Sequence, residues 1–189
     1  MSLYAQLQKA ESEEDVKDAY IKALGLKGHT KGLIDIQSKE IWFEAKHTGK
    51  HSSYAMFTQL LHSVQLALNK GETTPPFLAV IDTEKAALMK TADVLSFLAK
   101  KTIKWGKSAS QYTQEALDEI SAHIGTHFVS FKIATHEDEF INTCKAATAL
   151  RVGPVAGRCL GAGRALARDR KSTRLNSSHE RLSRMPSSA

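Results

Sequence analysis

GLIDIQSKEIWFEAKHTGK, residues 32–50, is the stretch on which the reading of this chain turns. Two apolar runs, Leu33-Ile34-Asp35-Ile36-Gln37 and Ile41-Trp42-Phe43-Glu44-Ala45-Lys46, flank Ser38-Lys39-Glu40 and read as the two strands of a hairpin. Alternate residues of a strand share a face, so Trp42, Glu44 and Lys46 point one way and Ile41, Phe43 and Ala45 the other. In the first strand Ile34 and Ile36 are expected to be buried, with Asp35 on the opposite face. A two-residue Lys39-Glu40 loop pairs position 35 with position 44. Asp35 and Glu44 then become cross-strand neighbours, about 5 Å apart at Cβ. Two carboxylates that close repel each other unless a cation or a proton intervenes. Lys46 lies one pleat further along the same face.

Two acids and an amine on one face suit a hard cation. Mg²⁺ accepts oxygen ligands from one or two carboxylates and completes its shell with water. Such an ion binds a phosphate oxygen and lowers the pKa of an attacking water. Lys46 would orient that water or stabilise charge developing on phosphorus. On an ordinary surface hairpin the same residues would form a salt bridge worth about 0–1 kcal/mol. Spacing alone leaves both readings open, because an Asp followed nine residues later by Glu-x-Lys is common by chance.

Upstream, Ser12 is a candidate N-cap, with Glu13, Glu14 and Asp15 in the first turn, where the helix dipole favours acids. Val16, Ala19, Tyr20, Ala23 and Leu24 then recur at helical spacing, and Gly25 is a natural stop. A shorter helix is expected over residues 3–10. Downstream, residues 54–69 read as a helix. The apolar run Phe77-Leu78-Ala79-Val80-Ile81 after Pro75-Pro76 suits a central strand. Further strands are expected at 86–89 and 128–133, and further helices at 92–100, 111–124 and 137–150. This order gives an α/β or α+β layer fold around a mixed sheet. Residues 1–150 show no internal repeat and no Gly-rich phosphate loop.

The 189 residues suggest one domain, and 42% hydrophobic with 24% charged residues is ordinary for a globular protein. No run approaches the roughly eighteen apolar residues of a membrane span. The start, MSLYAQLQKAESEEDVK, lacks the basic and apolar regions of a secretory signal. Cys144 and Cys159 have no metal-ligand spacing, so a reducing cytoplasm is the expected setting. The net charge of +6 is unevenly distributed. Residues 1–150 carry 17 Lys, no Arg and 18 acids, for a net −1, whereas residues 151–189 carry 8 Arg, 1 Lys and 2 acids, for a net +7. The overall basicity is therefore no argument for DNA binding by the first 150 residues. The tail, without aromatics and with little to bury, is expected to be a disordered Arg-rich segment. Its end, DRKSTRLNSSHERLSRMPSSA, resembles translated sequencing-adapter read-through. The alternative is a basic arm that binds nucleic acid. On the first reading, residues 1–150 are a nuclease-like domain truncated from a longer protein.

An acidic helix, an Asp strand, a Glu-x-Lys strand, a helix and a buried strand, in that order, resemble the PD-(D/E)xK nuclease superfamily. Within it the likeness is to the amino-terminal nuclease region of restriction enzymes fused to an adenine-specific DNA methyltransferase. SEEDVKDAYIKALGL, IDIQSKEIWFEAKH and PPFLAVID carry the resemblance, which covers roughly residues 10–85 well and 86–150 loosely. Glu44-Ala45-Lys46 is the one Glu-x-Lys in residues 1–150. The resemblance implies a restriction-endonuclease-like mixed β-sheet flanked by helices, with Mg²⁺ as cofactor and Mn²⁺ able to substitute. Asp35 and Glu44 would bind the metal, the Ala45 carbonyl would be a further ligand, and Lys46 would be the catalytic lysine. Glu13 or Glu14 would match the accessory glutamate of the first helix, although each also reads simply as a helix-dipole acid. Gln59 resembles the glutamine of RecB-like members. Two positions depart from the pattern: Ser63 stands where a tyrosine is usual, and Ile34 where the family name has proline.

Other residues carry weaker signals. His47, Lys50 and His51 follow the Glu-x-Lys strand and read either as a solvated loop or as phosphate-backbone contacts. Lys100, Lys101, Lys104 and Lys107 are the densest lysine cluster, either a solvated turn or a phosphate contact. His62 reads as a helix-face residue, Trp42 and Trp105 as packing anchors, and Cys144 as a small buried residue. His123, His127 and His136 show no ligand spacing.

The leading expectation is an Mg²⁺-dependent DNA endonuclease domain of a restriction-modification or related defence system. The alternative is a non-catalytic module of the same fold that binds DNA or supports a methyltransferase or specificity domain in a longer chain. Methyltransferase activity has no support in these residues, which lack Asn-Pro-Pro-Tyr and any glycine-rich adenosylmethionine loop.

Overall fold

Ser12 starts the first long helix. Its Oγ accepts the Asp15 N–H at 3.2 Å, and the Asp15 carboxylate accepts the Ser12 N–H at 2.9 Å, a reciprocal capping box. The computed structural model describes residues 1–100 and 102–149; the expectations for Lys101, Leu150 and the basic tail lie outside the described residues. Helix α2 spans Glu13–Leu24 and ends at Gly25, whose φ of 63° is the left-handed conformation that favours glycine. Ser12→Ala is expected to cost about 1 kcal/mol, seen as a lower urea midpoint. Helix α1 covers only Leu3–Leu7, shorter than expected. Lys9 and Ala10 close it with tight i→i+3 bonds, and the chain then extends into the Ser12 cap, whose φ of −141° cannot continue a helix.

The hairpin has the expected register. Strands β1 (Ile36–Gln37) and β2 (Ile41–Ala45) pair Ile36 with Phe43 and Gln37 with Trp42, leaving Lys39-Glu40 as the two-residue loop. The first strand is shorter than expected, because the chain bends at residues 32–35. Ser38 N donates to Ile41 O, so continued pairing would bring the Ala45 N–H to the Ile34 carbonyl. That carbonyl accepts the Gly32 N–H, and the Ala45 N–H goes to the Asp35 side chain at 2.8 Å. The side chain thus replaces the ladder. The bend also breaks the alternation, since Ile34 packs with Trp42 on one face and Ile36 with Phe43 on the other.

Helix α3 (Ser53–Asn69) connects β2 to β3 (Phe77–Ile81), which lies parallel to it. Strand β4 (Lys85–Lys90) pairs antiparallel with β3, and β5 (Phe128–Lys132) antiparallel with β4. The five strands lie in sequence order, a mixed sheet with β3 at its centre, as its apolar run predicts. Between β4 and β5 come α4 (Ala92–Lys100), a short 3₁₀ turn (Ala109–Gln111) and α5 (Gln114–Ile124). The single helix expected over 111–124 is divided because Thr113 turns outward, capping the Ala116 N–H and donating its own hydroxyl to the Lys104 carbonyl. Helix α6 (Ile133–Ala149) is interrupted at His136 (φ −131°, ψ 27°), so the expected helix from Glu137 is its second, regular part.

Both faces of the sheet are covered, which makes this a mixed α/β fold flanked by helices. Residues of α1, α2 and α6 pack on Ile36, Ile41, Phe43, Ala45, Ala79 and Ile81. Residues of α3, α4 and α5 pack on Trp42, Leu78, Val80, Ala87 and Met89. The period-2 alternation of β2 therefore sorts its side chains between two cores, as expected. Tyr20 of α2 reaches through the first core, edge-on to Phe140, and donates its hydroxyl to the Asp82 carbonyl at 2.9 Å. Among the described residues, no helix is long and apolar enough to cross a membrane.

Candidate active site

Three pieces of chain meet at the carboxyl end of β2: the first turn of α2, the bend before β1, and the residues that follow β2. Lys46 N donates to Ile81 O, which holds the chain beyond β2 against β3. The Lys46 ammonium turns back, 2.6 Å from Glu44 Oε1 and 2.9 Å from the Ala45 carbonyl oxygen, with Glu13 Oε2 at 3.8 Å. Asp35 Oδ2 takes the Ala45 N–H, and Oδ1 lies 2.9 Å from the ammonium of Lys17. Lys17 also pairs with Glu13 at 3.1 Å and Glu14 at 3.4 Å. Lys31 closes the outer end, bonded to Glu14 and, at 2.8 Å, to Asp18.

The structure thus brings together Glu13, Asp35, Glu44, Ala45 and Lys46 of the residues singled out in the sequence. Glu14 faces outward to Lys17 and Lys31. Gln59 is buried on α3, the helix that covers the Trp42 face of the sheet, and among the described residues no side-chain hydrogen bond joins it to Glu44 or Lys46. Lys17 and Lys31 join this cluster without being among the residues singled out in the sequence. Lys17 had a readable signal, because it follows Val16 at the border of the buried stripe of α2 and lies four residues after Glu13.

Burial sets the electrostatics. It pushes the Glu44 carboxyl up to about 7 from an ordinary 4.5; Asp35 and Glu13 push the same way, and Lys46 offsets only part of this. Burial opposes the charge of Lys46, but Glu44, Glu13 and Asp35 outweigh it and hold the ammonium above its ordinary pKa. Lys17 is the same case: burial works against its charge, and Asp35 with Glu13 more than compensates. Lys31 holds the exposed Glu14 below the usual carboxylate range.

The Glu44 shift has a sign that can be tested. A carboxyl with a folded pKa above its unfolded value binds its proton more tightly in the folded state, so stability from this group is complete below about pH 4.5 and lost as pH rises through about 7. Without divalent cations, Glu44→Gln is therefore expected to gain about 2 kcal/mol relative to wild type between pH 5 and pH 8. Urea denaturation at the two pH values measures this, and a pH-independent difference would contradict it.

The donor set is all hard oxygen: the carboxylates of Asp35 and Glu44, the Ala45 carbonyl, and Glu13 beside them. That chemistry fits Mg²⁺, which commonly takes one or two carboxylates and keeps its remaining waters. Among the described residues, no three acid, histidine or cysteine side chains lie together as a ready-made cage. The carboxylates here are instead interleaved with ammonium groups.

The remaining candidates are held by the fold. The His47 ring Nε2 lies 3.1 Å from the Ala10 carbonyl oxygen, tying the loop after β2 to the segment after α1, while Lys50 and His51 are exposed. His62 is buried and stacks flat on Trp105 with ring centroids 4.9 Å apart; burial lowers its pKa. Trp42 is a core residue. Cys144 is buried and its thiol is pushed up to about 12, which makes it inert. His123 stacks on Phe97. Lys104 pairs with Glu115 at 3.1 Å, and Lys107 is exposed. Buried Asp82 went unassigned in the sequence. Its Oδ1 accepts the N–H groups of Glu84 and Lys85, each at 2.7 Å, and Lys85 in turn reaches the Gly49 carbonyl at 2.8 Å. The β3–β4 turn thereby braces the loop that follows Lys46.

No protein-family model, curated protein or solved structure matches this chain.

Proposed function

We propose that this chain carries a divalent-metal-dependent DNA endonuclease domain, with a restriction-endonuclease-like arrangement of its sheet, belonging to a restriction-modification or related defence system. The observation that carries the reading is the convergence of Asp35, Glu44, the Ala45 carbonyl and Lys46, with Glu13 reaching the same ammonium from another element. The order of elements supports it as well: an acidic helix, an antiparallel hairpin, a helical crossover and a parallel central strand.

Asp35, Glu44 and the Ala45 carbonyl would hold Mg²⁺, with Mn²⁺ able to substitute and Glu13 available to complete the shell. When bound, the ion supplies Lewis-acid charge to a phosphate oxygen and acidifies a water. The Ala45 N–H fixes the orientation of Asp35 through Oδ2. Lys46 stays protonated at neutral pH, since its acidic neighbours hold its pKa above the ordinary value. It therefore serves as a hydrogen-bond donor and point charge toward the phosphoryl group, and not as the base that removes a proton. DNA is the substrate and partner in this reading, a cytoplasm the setting, and a methyltransferase or specificity domain the companion in a longer chain. Gln59 is assigned no step.

The interleaved ammonium groups favour a second reading, a nuclease-fold module that binds DNA without cutting it. Divalent binding separates the two. In a Mn²⁺ titration followed by the EPR signal of the free ion, the catalytic reading expects binding by the wild type and its loss in Glu44→Ala. No binding by the wild type would favour the non-catalytic module.

A further inference from the structure

The three lysines and five acids around the site form one alternating chain. Lys31 joins Asp18 to Glu14, Lys17 joins Glu14 to Glu13 and Asp35, and Lys46 joins Glu13 to Glu44. With every group ionised the cluster carries −2, the charge that one divalent cation would neutralise. Lys17 holds the decisive place in it. Of the two Asp35 oxygens, Oδ2 is given to the Ala45 N–H and Oδ1 is 2.9 Å from Lys17. The Lys17 side chain is only 12% exposed, and its ammonium is held by Asp35 at 2.9 Å and Glu13 at 3.1 Å. Glu14 is the most exposed partner of the three, 3.4 Å away, and Lys31 also holds it.

We infer that Lys17 is an internal counter-cation of the site, a positioning residue that occupies Asp35 and Glu13 in the metal-free protein and yields Asp35 to a divalent cation by moving toward Glu14. The inference rests on the nuclease reading above. It also explains why the acids are interleaved with amines and do not form an open cage: Lys17 draws Asp35 and Glu13 to itself, while Lys46 takes Glu44. Lys17 thereby sets a threshold for metal loading, because a cation must compete with an ammonium already in place. An ammonium left near a bound dication repels it, so removing the charge of Lys17 tightens metal binding and does not weaken it.

The test uses the full 189-residue chain and Mn²⁺ as the probe. Lys17→Met keeps the length and packing of the stem and removes the charge. It is expected to bind Mn²⁺ about tenfold more tightly, the effect of one charge–dication repulsion about 6 Å apart at the dielectric of water. Its metal-free Tm should fall, and its Mn²⁺-induced rise in Tm should exceed that of the wild type. Lys17→Arg should restore wild-type Mn²⁺ affinity. Should Lys17→Met fail to fold, the wild type alone decides: the ¹⁵N signal of the Lys17 ammonium should be protected without metal and lose that protection on saturation with Mg²⁺. Wild type that binds Mn²⁺ while Lys17→Met binds it equally or more weakly overturns the inference and leaves the nuclease reading standing. So does a Lys17 signal unchanged at saturating Mg²⁺. Failure of both wild type and Lys17→Met to bind Mn²⁺ overturns the metal site itself, and this inference with it.

Discussion

Lys46→Ala is expected to lower DNA cleavage by a factor of about 10²–10³, the usual cost of removing one preorganised stabilising donor. The loss should fall on kcat, because in the proposed reading the ammonium would act on charge that develops in the transition state. The fold should survive: Lys46 follows the end of β2, and its backbone N–H still reaches Ile81 O. The substitution does remove the partner of buried Glu44, whose carboxyl would then be pushed further up. The variant should therefore be compared with wild type at about pH 6 as well as pH 8, with circular dichroism as the check on folding. Lys46→Arg keeps the charge but changes its shape and reach, so it should recover only part of the activity. Cleavage by Lys46→Ala at the wild-type rate would remove Lys46 from the chemistry.

Phe43→Ala should have the largest effect on stability. Phe43 is fully buried in β2, paired with Ile36 on one side and Ala79 on the other, beneath the residues of α2 and α6. Truncating a buried phenylalanine to alanine costs about 3–5 kcal/mol, the transfer free energy plus the cavity left behind. That is a large part of the roughly 5–15 kcal/mol by which natural domains are stable. Because Phe43 immediately precedes Glu44, the site should loosen along with the core. Val129→Ala is the control: Val129 is 60% exposed on β5 and should change stability by no more than about 0.5 kcal/mol. Urea denaturation of the two variants measures the contrast. Equal midpoints would mean that the helices do not cover the Phe43 face.

Much of this architecture is legible before any coordinates, for local physical reasons. The Ser12 cap, the first-turn acids and the Gly25 stop specify α2 within their own few residues. A two-residue loop sets the hairpin register, so the pairing of Ile36 with Phe43 follows from the position of Lys39-Glu40. The unbroken apolar run of β3 reads as a strand covered on both faces. What was not legible depends on distant partners. Asp35 leaves the strand because its side chain takes a backbone N–H ten residues away, a bond that competes with the ladder and leaves no mark in the strand pattern. The division before α5 arises the same way, from Thr113 reaching the Lys104 carbonyl.

The candidate site divides along the same line. Asp35, Glu44 and Lys46 are close in sequence and lie on one hairpin end, so their proximity could be argued from register and pleat. Glu13 and Lys17 reach them only because α2 packs on that sheet, a tertiary fact. An acid in the first turn could be suspected from the resemblance to a nuclease family. The lysine four residues later is an ordinary i,i+4 partner of Glu13. Its third contact, to Asp35, is what makes it part of the site.

The central claim is that Asp35, Glu44 and Lys46 form a metal-dependent centre for cutting DNA, and one assay meets it directly. Supercoiled plasmid is incubated with the wild type and with Asp35→Asn, in Mg²⁺, in Mn²⁺ and in EDTA. The account predicts nicked and linear products from the wild type with a divalent cation, none in EDTA, and none from Asp35→Asn under any condition. Cleavage that persists in EDTA, equal cleavage by Asp35→Asn, or an intact plasmid with folded wild type in both metals would contradict it.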